Sequence, residues 1–146
     1  MALLDSLKKI DYTTFSDLGG DTIKTTLMLK GAGIVSGIYA TSPIIEPSEF
    51  VTGKAFLDKY RAAFKIEPAY AGHYTYDAMY AMAAAIKRAE SAKPAEITAT
   101  LRKLDAYAPV TGSLKFDDKG DQRYGTISVY SLKAGKWESQ LRSDIW

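Results

Sequence analysis

The sequence predicts an α/β fold in three layers. A mostly parallel open sheet carries helices on both faces, and antiparallel strands are added at the C-terminal end. Three observations predict it. Segments of strand character and helix character alternate from the N-terminus, the order that builds parallel sheets covered by helices. The longest apolar run, residues 78–86, lies inside a helical pattern and is apolar on every side. The tail then changes to short strands separated by turn residues, which is hairpin chemistry.

The first predicted element is a helix over residues 2–10, with Leu3, Leu4, Leu7 and Ile10 on one side and Asp5, Lys8 and Lys9 on the other. Residues 12–18 read as a strand bounded by Gly19-Gly20. Asp21 stands at the N-cap position of a helix over 22–30 that Gly31 stops. Residues 34–40 form a second strand. Pro43 and Pro47 make 42–47 a loop, because proline removes backbone donors. Ser48 caps a helix running to about Phe64, with Phe56, Tyr60, Ala63 and Phe64 along one face. A longer helix spans about 71–90, and its run 78–86 marks it as buried by neighbours on more than one side. Lys93-Pro94 opens another helix, with a stripe of Ile97, Thr100, Leu101 and Leu104. Strands follow at 113–116, 124–132 and 136–141, the last with Trp137 and Leu141 on one face. They are joined by Asp117-Asp118-Lys119-Gly120-Asp121 and by Lys133-Ala134-Gly135, both rich in turn residues. There is no internal repeat.

The 146 residues suit a single domain, 1–146, with 47% apolar and 25% charged residues. A net charge of +2 from 19 basic and 17 acidic side chains lacks the excess of cations a nucleic-acid binder needs. The absence of cysteine excludes disulfides, iron–sulfur clusters and thiol nucleophiles. The single histidine, His73, excludes any site that needs two imidazoles. No stretch is long and apolar enough to cross a bilayer, and the first residues lack the basic-then-apolar pattern of a secretion signal.

Candidate chemistry is sparse. Gly31-Ala32-Gly33 follows a helix and precedes a strand, the reverse of a dinucleotide-binding loop, so it reads as a helix stop and no cofactor is expected. The 117–121 segment lacks the ligand spacing of a calcium loop and reads as a β-turn. His73 has no second histidine and no serine–aspartate set, while Asp77, one helical turn on, is placed to hydrogen-bond it. Tyr70, Tyr74, Tyr76 and Tyr80 cluster at the start of the long helix. Most are core residues, and one near Tyr70 is placed to line a cleft. Gly19-Gly20-Asp21 lies where a strand ends and a helix begins, which is where ligands bind open α/β sheets. Two readings stand there. Asp21 caps the helix, or its carboxylate holds a ligand ammonium while Gly20 lets the backbone come close.

Four segments in order carry a resemblance: Leu18-Gly19-Gly20-Asp21; Gly37-Ile38-Tyr39-Ala40-Thr41-Ser42-Pro43; Tyr74-Thr75-Tyr76-Asp77-Ala78; and Val110-Thr111-Gly112-Ser113-Leu114-Lys115-Phe116-Asp117 through Gly120-Asp121. Together, over about residues 2–141, they resemble the Leu/Ile/Val-type solute-binding proteins of ABC transporters. The resemblance implies a bilobed, non-enzymatic periplasmic receptor that closes on an amino acid and delivers it to a membrane permease. It implies that Asp21 holds the α-ammonium, turning that residue from cap towards ligand, and that an aromatic ring just before the Tyr-Asp-Ala helix contacts the ligand, a position that falls on Tyr70 or, with a one-residue slip, on Ala71. It also implies that the first lobe and the opening strands of the second are absent, leaving the C-terminal part of the second lobe. Half a cleft binds weakly. The sheet edge at its first strand recruits a partner, either a second copy of the chain or an N-terminal piece. The competing readings are a self-associating fragment without ligand, a ligand-sensing domain, and an enzyme; for the last, no acid–base pair stands at a convincing spacing.

Overall fold

The structure is a computed structural model that describes residues 14–25, 28–29 and 36–144. The expected helix over 2–10, the start of the first strand at 12–13 and the Gly31–Gly33 segment lie outside the described residues. In chain order the elements are β1 (Thr14–Gly19), β2 (Ser36–Ser42), α1 (Gly53–Phe64), α2 (Gly72–Ala89), α3 (Pro94–Arg102), β3 (Asp105–Ala108), β4 (Gly112–Lys115), β5 (Ser128–Lys133) and β6 (Lys136–Arg142). Short 3-10 turns sit at Asp21–Ile23 and Pro47–Glu49. Contacts group the described residues into two compact units, one lying before Glu46 and after Gly125, the other Glu46–Gly125.

The first unit holds a four-stranded sheet in the order β1-β2-β5-β6. β1 and β2 are parallel, while β5 runs antiparallel to β2 and β6 antiparallel to β5. The sheet is therefore mixed. Among the described residues its parallel part is confined to one pair, less than the mostly parallel sheet expected, because the chain comes back into it through a hairpin. That hairpin turns on Ala134 and Gly135, both at positive φ (46° and 74°), the two-residue form whose twist matches paired strands. One face of the sheet is the core. Ile38 and Leu132 are buried against Ile23, Met28, Leu29 and Trp137, and Tyr130 and Ala40, opposite each other in register, are fully buried. A register shift between Val129 and Tyr130 corrects one expectation. It pairs Trp137 with Leu132 but Leu141 with Val129, so the two β6 side chains point to opposite faces and Leu141 stays 58% exposed.

The second unit holds the three helices and the β3–β4 hairpin. Ser48 does not cap α1; it lies within the turn Pro47–Glu49, and the helix starts at Gly53. Thr52, at the cap position, donates its hydroxyl to the Val110 carbonyl instead (2.8 Å). Phe56, Tyr60 and Phe64 form a ring ladder down α1, with centroids 5.8 and 4.7 Å apart. α3 turns its stripe inward as expected: Ile97, Thr100 and Leu101 are half-buried, and Leu104 beyond its end is buried. α2 differs. Only His73, Asp77, Ala81 and Ala85, one stripe at four-residue spacing, are buried; Met79, Tyr80, Met82 and Ile86 are exposed.

β3 has no counterpart among the expected strands. Asp-Ala-Tyr-Ala carries no β-branched residue, and the strand exists by pairing with β4. The expected strand over 124–132 starts only at Ser128. The 117–121 segment is a turn. The Asp117 carboxylate accepts from the amides of Lys119 and Asp121 (both 2.9 Å), and Gly120 supplies φ 95°. Those backbone donors, Asp121 first, hold the Asp117 carboxyl below its usual value. A depressed folded-state pKa stabilises above the unfolded value of 3.8 and is lost as the pH falls through the folded value. Hydrogen-exchange protection of the Lys119 and Asp121 amides should therefore hold at neutral pH and fade only below about pH 4. Protection that fades well above this would contradict the assignment.

Candidate functional site

In the first unit, β1 and β2 run side by side and end together, with Gly19 opposite Ala40. The Thr41 hydroxyl donates to the Gly19 carbonyl at 3.4 Å, tying the two carboxyl ends. A β-carbon on Gly19 would overlap the Ile23 side chain, which would have to shift for the turn to fold back onto the strand. Gly20 is extended (φ −76°, ψ −172°) and faces open space, with nothing within 4 Å of where its β-carbon would be.

Gly20, not Asp21, is the residue at the cap. Asp21 is the first residue of the turn Asp21–Ile23, closed by Ile23 N–H to Gly20 O (3.3 Å) and Lys24 N–H to Asp21 O (3.0 Å). The helical residues Met28 and Leu29 are started by Thr25. Its hydroxyl accepts from the Met28 amide at 3.2 Å, and its carbonyl from Leu29. With capping done by Thr25, the Asp21 side chain is exposed, and among the described residues no group donates to its carboxylate. The turn is pinned from below. Lys24 is buried with its ammonium 4.2 Å from the ring centroid of Tyr130, and the Tyr130 hydroxyl donates to Ile44 O (3.3 Å).

Tyr70 belongs to the second unit and Asp21 to the first. Tyr70 is 49% exposed, just before α2, and lines a groove of about 800 Å³ beside α1 and α2 with Phe56, Tyr60, Tyr76 and Met79. His73 is buried among rings, 4.6 Å from Tyr74 and 5.9 Å from Phe50 by centroid. Asp77 is turned to the β3–β4 connection. Its carboxylate accepts from the Val110 amide (3.0 and 3.3 Å), the Thr111 amide (2.7 Å) and the Thr111 hydroxyl (2.8 Å). This clamp and the Lys24–Tyr130 contact escaped sequence reasoning, although two of the four resemblance segments meet in the first of them. Among the described residues, no three His, Asp or Glu side chains are grouped to hold a metal ion, and no helix is long and apolar enough to cross a membrane.

Comparison with known proteins gives concordant matches. A sequence family described as periplasmic binding protein matches residues 3–136. The Leu/Ile/Val-binding protein homolog 1 of Brucella abortus is 30% identical over 125 residues, covering 83% of this chain and 31% of its own length. A solved leucine-binding protein LivK from Thermotoga maritima superposes with a TM-score of 0.78 at 23% identity, covering 96% of this chain and 40% of that one. The branched-chain amino-acid transporter substrate-binding protein LivJ from Streptococcus pneumoniae, solved in complex with isoleucine, gives 0.75 at 26%, covering 93% and 39%. The chain thus spans about a third of the curated relative and two fifths of the solved ones.

Proposed function

From the premise that the chain belongs to the periplasmic binding protein family, we propose that it is the ligand-holding part of a solute-binding protein for an amino acid of the Leu, Ile or Val type. The observation that carries this reading is the Asp21 carboxylate. It is exposed at the carboxyl end of the parallel β1–β2 pair, and no donor among the described residues engages it. An ammonium there gains a charge-assisted hydrogen bond. Gly20 leaves room for the ligand's polar end beside the backbone. Tyr70 is left out of this reading, because it belongs to the other unit. The role is non-catalytic: His73 is buried among rings and Asp77 is engaged by the amides of Val110 and Thr111 and by the Thr111 hydroxyl, so neither is offered as an acid or base. The partner is a membrane permease and the compartment the periplasm, both as the family implies.

Calorimetric titration with L-leucine, with 4-methylpentanoate (no ammonium) and with 3-methylbutylamine (no carboxylate) tests this. L-leucine should bind weakly, Asp21→Asn should reduce its affinity at least about tenfold, and 4-methylpentanoate should bind neither protein. The melting temperature of the ligand-free protein should not move, because Asp21 caps nothing. Equal leucine binding by Asp21→Asn would overturn the reading. So would an Asp21→Ala variant that keeps its leucine binding but loses about 1 kcal/mol of stability, the mark of a cap.

A further inference from the structure

Among the described residues Lys24 is the only lysine or arginine that is buried, at 5% exposure. Taking an ammonium out of water costs free energy, and an apolar side chain of similar length would fill the space without that cost. The backbone puts the cation there. Lys24 has φ −75° and ψ 67°, and the Thr25 amide donates across it to the Ile23 carbonyl at 2.8 Å, which is an inverse γ-turn. The bend falls between the turn Asp21–Ile23 and the helical residues that Thr25 starts. Lys24 is buried there, while Asp21, Thr22 and Thr25 stay exposed.

We propose that Lys24 is a positioning residue of the ligand site. It holds the far end of the turn whose near end is held by the β1–β2 pair, and so fixes where the Asp21 carboxylate stands. This rests on the reading of Asp21 as the group that takes the ligand ammonium. At the near end the Thr41 hydroxyl donates to the Gly19 carbonyl (3.4 Å), and Gly19 stands opposite Ala40. Ala40 in turn stands opposite Tyr130, so a row Gly19–Ala40–Tyr130 crosses three strands in line with the start of the turn. At the far end the Lys24 ammonium lies 4.2 Å from the centroid of that tyrosine ring. The ring is a fixed platform. Tyr130 is fully buried and its hydroxyl donates to the Ile44 carbonyl (3.3 Å). The Ser42 hydroxyl donates to the same carbonyl (3.2 Å) and accepts from the Ile44 amide (3.0 Å). Ile23 also packs on the Ile38–Leu132 core, but apolar contact has no direction. A cation over a ring face does, because the attraction fades as the charge slides off the face.

Lys24→Met keeps the length of the side chain and removes its charge, and Lys24→Arg keeps the charge. In calorimetric titration with L-leucine, Lys24→Met should bind at least about tenfold more weakly than the unmodified chain, and Lys24→Arg should recover most of that loss. In the Asp21→Asn background Lys24→Met should change leucine affinity by less than about twofold, because a residue that acts through Asp21 has nothing left to position. A merely structural residue would lower affinity in both backgrounds. Amide hydrogen exchange reads the turn without ligand. Lys24→Met should lose protection at positions 23 and 24, whose amides close the turn, and keep it in the paired strands β2 and β5. If leucine binds no form of the chain, the reading of Asp21 falls, and exchange at positions 23 and 24 decides alone whether Lys24 sets the turn. If Asp21→Asn loses leucine while Lys24→Met keeps it within about twofold, Lys24 positions nothing and the proposal is overturned. Unchanged protection at both positions overturns it whatever leucine does. Protection lost evenly over turn and strands, or a Lys24→Met chain that does not fold, overturns it too, since Lys24 then supports the whole sheet.

Discussion

Replacing Asp77 with Ala is expected to remove about 3–5 kcal/mol from the stability of the helical unit, the cost of leaving three donors without their shared acceptor. Asp77 is 4% exposed, and its two oxygens take the amides of Val110 and Thr111 and the Thr111 hydroxyl. Truncation leaves the buried Val110 amide and the half-buried Thr111 donors around a void. Each unpaired buried group costs about 1–3 kcal/mol, and the hydrogen bonds lost are to a charged acceptor, the stronger kind. Asp77→Asn keeps the shape but turns an NH2 towards a donor, so it should recover only part of the loss. The total stability of a domain is about 5–15 kcal/mol, so the variant should unfold at markedly lower denaturant. The helical circular dichroism signal reads this unit, since Trp137 belongs to the other. A change below about 1 kcal/mol would show the clamp to be incidental.

Gly53→Ala is the second large effect expected. Gly53 is buried at the start of α1, and a β-carbon there would fall on the carbonyl of Pro47. Backbone cannot rotate aside as a side chain can. The turn Pro47–Glu49 and the helix would have to separate, breaking the Phe50 N–H to Pro47 O bond (3.2 Å) and the Gly53 N–H to Phe50 O bond (3.0 Å). A loss of at least about 3 kcal/mol is expected, at the upper end for overpacking. Gly20→Ala is the matched control, with free space and an ordinary φ, and should change stability by less than about 0.5 kcal/mol. If both variants melt alike, the close approach at Gly53 is not rigid.

The elements that carry a strong period were legible. α1, α2, α3 and the β5–β6 hairpin appear where apolar spacing and turn residues put them, because those signals come from a residue and its near neighbours. The misses come from what lies far off in sequence. β3 has poor strand propensity and exists through β4. The Trp137 and Leu141 faces are split by a bulge that no alternation rule sees. Ser48 is rich in capping potential, yet the chain turns once more before the helix starts. At the candidate site, the position of Asp21 at the end of a parallel strand followed from the strand–glycine–helix order. That Thr25 starts the next helix, which releases the Asp21 carboxylate, depends on one hydroxyl–amide contact that local sequence allows but does not require. The one-sided burial of α2 was missed because an all-apolar helix does not say which of its sides is covered.

The Lys24–Tyr130 contact has a bearing on how the protein is made. The turn that offers Asp21 is written near the start of the chain, while the ring that steadies it is written near the end. During synthesis the Lys24 ammonium can meet the Tyr130 ring only once β5 has emerged and paired with β2. A nascent chain stopped before Ser128 would keep the β1–β2 pairing and the Thr41–Gly19 bond but lack the ring on which the Lys24 ammonium packs.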